Sequence, residues 1–231
     1  MILESLGGSL KIRFTKYIAV LGFAVALALL VPAAHADTVN FTIDNCSGSG
    51  GCGTSPFGSV TWTQNGTGDV HFVVTLAAGN VFTNTGSGDS LDFNIIGTPT
   101  ISISNIENNG SASTAFSLVS TTAGAIHTGG NFTFHYAVTC NGCSGGNPSN
   151  PGGPLSFDLS FTGATPASFD LTSTGTGGPA IFGTDIRNTN GNTGPVEAPF
   201  TVTTAPEPGT FALLGMGVVG LLGLRRKRVL A

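Results

Sequence analysis

From residue 39 to residue 171, apolar side chains return at every second position, run after run. Val39, Phe41 and Ile43 form the first run, and Val60 with Trp62 the second. Val70, Phe72, Val74 and Leu76 follow, then Leu91, Phe93 and Ile95, then Ile101 and Ile103. Phe132, Phe134, Tyr136 and Val138 make a late run, as do Leu155, Phe157, Leu159 and Phe161, with Phe169 and Leu171 after them. A strand sends successive side chains to opposite faces, so each run predicts a strand with one face on a core and the other in water. Clusters of Gly, Asn, Ser and Pro separate the runs, as turns do. Nothing between residues 37 and 204 has the spacing of a long amphipathic helix. Glycine supplies 35 of 231 residues, roughly twice the average share of about 7%. The pattern predicts an all-β fold, an antiparallel β-sandwich. A solenoid is the competing architecture, but no fixed repeat period supports it. Residues 47–55, 141–154 and 172–179 read as loops.

Charge is distributed unevenly. Residues 37–204 carry the acids Asp37, Asp44, Asp69, Asp89, Asp92, Glu107, Asp158, Asp170, Asp185 and Glu197, against one base, Arg187, and no lysine. That segment balances at −9, whereas the whole chain stands at −4. Phosphate neutralisation needs a basic surface, so nucleic-acid binding is disfavoured. No acidic loop of EF-hand type is present, and no metal site is expected.

The chain opens with an export pattern. Lys11, Arg13 and Lys16 precede an apolar run from Tyr17 to Val31, and Pro32-Ala33-Ala34-His35-Ala36 follows. A positive region, a short apolar region and small residues at Ala34 and Ala36 form a secretory signal with cleavage expected after Ala36. Residues 1–36 are then removed, and residues 37–204 form the exported domain.

Export to an oxidising compartment favours disulfides among Cys46, Cys52, Cys140 and Cys143. Of three possible pairings, Cys46–Cys52 and Cys140–Cys143 are preferred, because each pair is close in sequence and flanked by glycine turns. A redox Cys-x-x-Cys at 140–143 lacks the βαβ context that such motifs use. Four-thiolate zinc is disfavoured by the wide spacing of Cys46 and Cys52. Haem attachment is excluded at this motif, since Ser144 stands where His is required.

Other candidate chemistry is sparse. His71 and His135 fall on the outward phase of their strands, and His127 stands alone. Asp89 with Asp92, and Asp158 with Asp170, are close in sequence, as glycosidase carboxylates can be. They read more simply as strand-edge and turn residues. No Gly-x-Ser-x-Gly elbow and no phosphate-binding glycine loop occurs. No catalytic residue and no cofactor is expected.

The end of the chain has three parts. Pro206-Glu207-Pro208 is held extended by its two prolines. Residues 209–224 are free of charge. As a helix they would span roughly 24 Å, short of a bilayer core of about 30 Å but within reach by local thinning or snorkelling. Arg225, Arg226, Lys227 and Arg228 then stop the segment, and the positive-inside rule places them in the cytoplasm.

This order closely resembles the PEP-CTERM sorting signal of Gram-negative bacteria, with Ala205 where the family often has Val. The resemblance covers residues 205–231, about a tenth of the chain. It implies recognition at the inner membrane by an exosortase, cleavage near Pro206-Glu207-Pro208, and delivery to the cell surface or an extracellular polysaccharide matrix. It implies no catalytic activity. The passage from Asp185 to Pro195 also resembles a glycine-asparagine stretch that precedes the tail in some members.

These readings converge on a non-enzymatic exported surface or matrix protein, with exopolysaccharide as an expected partner. A carbohydrate-binding module is one alternative, with Trp62 and Tyr136 as candidate stacking residues. Both lie in the apolar phase of their strands, which favours core packing. A hydrolase acting on matrix polymer is the other alternative.

Overall fold

The computed structural model describes residues 36–85, 89–120, 126–143, 145–200 and 203–204. In chain order the strands are β1 (Ala36–Phe41), β2 (Ile43–Asp44), β3 (Gly58–Gln64), β4 (Asp69–Leu76), β5 (Val81–Phe82) and β6 (Leu91–Phe93). Then come β7 (Ser102–Asn108), β8 (Ser111–Ala112), β9 (Phe116–Ser120), β10 (Ile126–Thr128) and β11 (Phe132–Phe134). The last are β12 (Tyr136–Cys140), β13 (Leu155–Ser160), β14 (Ala180–Arg187), β15 (Thr193–Pro199) and β16 (Thr203–Thr204). Among the described residues the only helical turns are two 3-10 segments, Gly129–Asn131 and Pro166–Phe169.

Two antiparallel sheets result. The first runs β16-β1-β3-β4-β13-β7-β8, and the second β2-β15-β14-β6-β12-β9, with β5 also on β14. One hydrophobic cluster takes side chains from both sheets. The expected antiparallel sandwich is therefore the observed architecture.

The first sheet follows the alternation closely. Register aligns Trp62 with Phe72 and Phe72 with Phe157, and beside them Val60 with Val74 and Val74 with Leu155. Trp62, Phe72, Val74 and Phe157 are completely buried, while His71 and Thr75 on β4 alternate outward. Phe72 meets four other rings: Phe157 at 5.3 Å, Phe169 at 4.8 Å, Phe93 at 6.3 Å and Phe182 at 6.2 Å between centroids. The Trp62 indole N–H donates to the Pro166 carbonyl at 3.1 Å. Gly58 admits the next strand closely: a Cβ there would lie 2.4 Å from the Thr75 carbonyl oxygen. Gly58→Ala should therefore lower the thermal midpoint and cost about 1–3 kcal/mol, the range for forced overpacking; an unchanged midpoint would show that β3 and β4 can part there freely.

The second sheet departs from the expectation. Its central strands are buried on both faces, with β14 and β15 enclosed along nearly their whole length. The cause is a third layer, the β10–β11 hairpin. Ile126, Phe132 and Phe134 of this hairpin form a second apolar cluster with Ala137 and Ala180. Gly183 lies beneath it: a Cβ there would lie 3.2 Å from Thr128 Cγ2 and 3.3 Å from a Phe134 ring carbon.

Three sequence expectations are corrected. The run Val39–Phe41–Ile43 is not one strand, because β1 joins the first sheet and β2 the second. The run from Phe132 to Val138 is divided at His135, whose amide donates to Asn94 Oδ1 at 2.9 Å. Phe132 and Phe134 thus go to the hairpin, and Tyr136 and Val138 to the main core. Phe169 belongs to a 3-10 turn opened by Pro166 and a Thr165–Ser168 capping box, not to a strand. Residues 185–195 hold the end of β14, its turn and the start of β15.

Candidate functional site

The two ends of the exported region meet at one edge of the first sheet. Among the described residues β16 pairs only with β1, Asp37 opposite Thr204 and Thr38 opposite Thr203. On its other side β1 pairs with β3, Ala36 opposite Thr63 and Asp37 opposite Trp62. Ala36 thus opens the first strand, and Asp37 is buried between two partners. Ala34, Pro206, Glu207, Pro208, Arg225, Arg226, Lys227 and Arg228 lie outside the described residues. The expected membrane segment at 209–224 does too; among the described residues no helix is long and apolar enough to cross a membrane.

The cysteines pair as preferred from sequence, Cys46 with Cys52 and Cys140 with Cys143. Their Cα atoms stand 5.3 and 5.4 Å apart, within the range disulfides require. Asp44 organises the first loop by accepting the amides of Cys46 and Cys52, each at 2.9 Å. The Asn192 side-chain amide donates to the Gly51 carbonyl at 2.7 Å and ties that loop to the β14–β15 turn. Asp44, Cys46 and Cys52 bring three potential ligand atoms together. Both sulfurs are already bonded to each other, however, so the group offers no thiolate.

A row of acids went unrecognised in the sequence. Across the outer face of the second sheet, Asp92 lies opposite Gly183, and Gly183 opposite Glu197. Asp185 is two residues further along β14. Asp92, Asp185 and Glu197 are completely buried. Asp92 is neither a strand-edge nor a turn residue; it sits on the central strand β6, enclosed because the hairpin covers that face. Burial pushes the Asp92 carboxyl well above the usual range, and the neighbouring Asp89 carboxyl adds to the effect. Burial raises Asp185 to about 6 despite hydrogen bonds from Thr85. Burial also lifts Glu197 to about 8, although the Asn45 amide donates to it at 2.7 Å. Asp89 is raised as well, again by burial. No three of these carboxyls converge on one point, since among the described residues only the Asp44 group brings three ligand atoms within 4.8 Å. Burial thus favours the protonated form along the row, more at Glu197 than at Asp185.

The remaining candidates disperse. His71 Nδ1 lies 2.6 Å from Asp158, whose other oxygen accepts from Asn105 at 2.7 Å. Asp158 thus spends both oxygens within the strand face, and Asp170 ends the Pro166–Phe169 turn. Trp62 and Tyr136 are both buried, and the Tyr136 hydroxyl donates to the Pro99 carbonyl at 2.7 Å. Neither ring is open to stack on a sugar.

What the described residues form is thus an antiparallel sandwich whose last described strand stands, in sequence, just before a linear tail motif. That combination defines an exported domain with an address attached. The family model of the PEP-CTERM protein-sorting motif matches residues 204–228. The chain carries that motif, which implies secretion, passage through the membrane and processing by an exosortase-type enzyme. No curated protein and no solved structure matches the chain.

Proposed function

We propose that the protein is a non-enzymatic component of the cell surface or of an extracellular polysaccharide matrix. On this reading a signal peptide is removed after Ala36 and residues 37–204 fold outside the cytoplasm. Residues 209–224 hold the intermediate in the inner membrane, with Arg225–Arg228 on the cytoplasmic side. The tail is then cut near Pro206-Glu207-Pro208. The observation that carries the reading is the sorting motif over 204–228, which begins at the last residue of β16. The acids that remain exposed or half-buried, Asp44, Asp69, Asp89, Glu107 and Asp170, with no lysine among residues 37–204, suit a solvated extracellular surface. Burial of Trp62 and Tyr136 removes the two aromatic residues on which a carbohydrate-binding module would have rested.

The test is the intact mass and location of the mature protein in its native host. A chain starting at Asp37 and ending near Pro206, in the surface or medium fraction, is expected. A chain retaining Arg225–Arg228 in the inner membrane would make the protein a single-span anchored domain instead. Glu207→Ala should leave export intact and stop removal of the tail; normal removal in that variant would refute the role given to the motif.

A further inference from the structure

We propose that the β10–β11 hairpin is a lid, which lifts off the second sheet as one unit, with the sandwich intact, when the Asp92 and Glu197 carboxyls beneath it ionise. The device belongs to the folded domain and does not depend on the processing route proposed above.

The hairpin is joined lightly to the sheet it covers. Its strands pair with each other, Ile126 opposite Phe134 and Thr128 opposite Phe132, and among the described residues they belong to neither large sheet. Beyond that pair, the Thr133 amide donates to the Thr174 carbonyl at 2.8 Å and the Thr174 amide returns a bond at 3.1 Å. The Gly177 amide donates to the Asn131 carbonyl at 3.3 Å. Ile126, Phe132 and Phe134 pack on the small residues Ala137 and Ala180, in a cluster separate from the main core. Lifting the hairpin therefore leaves the rings around Phe72 in place. A two-stranded hairpin is marginally stable alone in water, so this one depends on the face beneath it.

That face turns against the hairpin once it is charged. In register, Asp92, Gly183 and Glu197 stand side by side on β6, β14 and β15. Gly183 has no side chain, and Thr128 and Phe134 occupy the space above it. The hairpin thus fills a trough walled by two carboxyls. Thr128 lies against Glu197, and the turn at Gly129 packs on Pro195. Asp92 Oδ1 has no hydrogen-bond partner. The surrounding acids add to the strain of ionisation: Asp89 and Asp185 act on Asp92, and Asp44 and Asp185 on Glu197. Of the basic groups on these elements, Arg187 donates to the Asn188 carbonyl. His127 of the hairpin is exposed with its ring on Thr133, and His135 stands at the hairpin's foot.

A carboxylate held away from water without full pairing is costly. Lifting the hairpin returns both acids to water together. Closing it buries apolar side chains instead, and is favoured while the acids keep their protons. By linkage, the open fraction grows by up to about tenfold per pH unit for each acid that ionises on opening. For Glu197 that window runs from 4.5 to about 8. Opening is rare in acid and becomes frequent in mild alkali.

Hydrogen exchange of the full-length chain in detergent, read by mass spectrometry at pH 5, 6, 7 and 8 and corrected for intrinsic rates, tests the lid. Peptides covering 126–134 should exchange through an opening at least about tenfold more frequent than that of β4 and β13, as a separate cooperative unit does. Its frequency should rise about tenfold or more per pH unit. Glu197→Gln and Asp92→Asn should each lower that slope, and the double variant should nearly abolish it; the single variants decide the matter if the double one does not fold. Phe134→Ala removes apolar grip without touching the acids, and should raise opening at every pH with the slope kept. Hairpin protection equal to that of β4 and β13 throughout would show that no separable lid exists. A flat profile in the native chain, or a slope that persists in both acid variants, would show that Asp92 and Glu197 do not drive it. Either result would overturn the proposal.

Discussion

Phe72→Ala should destabilise the exported domain by about 3–5 kcal/mol, the range for deleting a fully buried aromatic side chain. Domains of this size are stable by about 5–15 kcal/mol, so the loss would be a large share of the total. The size of the effect follows from position. Phe72 is on β4, between β3 and β13 at the middle of the first sheet, and reaches across the core to Phe93 and Phe182 of the second. Its ring also stacks on Phe157 within its own sheet and meets the edge of Phe169. Strand neighbours held by register on both sides leave little freedom to collapse into the cavity. Thr75→Ala, three residues along the same strand on the exposed face, should cost under about 1 kcal/mol. Equilibrium urea unfolding of both variants, with the disulfides intact, reads the difference. Equal midpoints would mean that the ring cluster does not organise the core.

The alternation exposed the first sheet because that sheet obeys the condition that makes alternation visible. β3, β4 and β13 bury one face and show most of the other, so Trp62, Phe72 and Phe157 stand out against polar neighbours. The second sheet violates the condition. In β14 the residues opposite Phe182 and Ile186 are Gly183 and Asp185, which read as turn formers. They are interior only because a separate hairpin lies over them. A period-two pattern also carries no mark of where a chain changes sheets, so Thr42 and His135 passed as strand interior.

The site divides in the same way. The sorting tail was legible because its chemistry is linear: two prolines, an uncharged stretch and four cations act without a tertiary partner. The edge that carries the tail was not legible. Thr203 and Thr204 show no periodicity, and their partners, Thr38 and Asp37, lie at the far end of the domain. The acid row was hidden for a related reason. Asp92, Asp185 and Glu197 come from three strands that only the sheet register brings side by side.

That row sets the second large effect, an inverted dependence of stability on pH. A carboxyl whose pKa is higher in the folded state binds its proton more tightly there. Its contribution is then lost as pH rises from the unfolded value to the folded one. For Glu197 that window runs from 4.5 to about 8, and for Asp185 from 3.8 to about 6. Asp92 acts in the same direction. The domain should therefore be more stable at pH 5 than at pH 8, although acid commonly destabilises folded proteins. Glu197→Gln replaces the acid by a neutral group of the same shape that can still accept from Asn45. It should change little at pH 4. At pH 7 it should stabilise by about 3 kcal/mol, because the unfolded wild-type chain gains an ionisation that the folded one resists. Thermal midpoints of both proteins at pH 4, 5.5, 7 and 8.5 should diverge steadily across the series. Parallel curves would mean that Glu197 is ionised in the folded domain, with its charge met by a bound cation or by an opening of the hairpin above it.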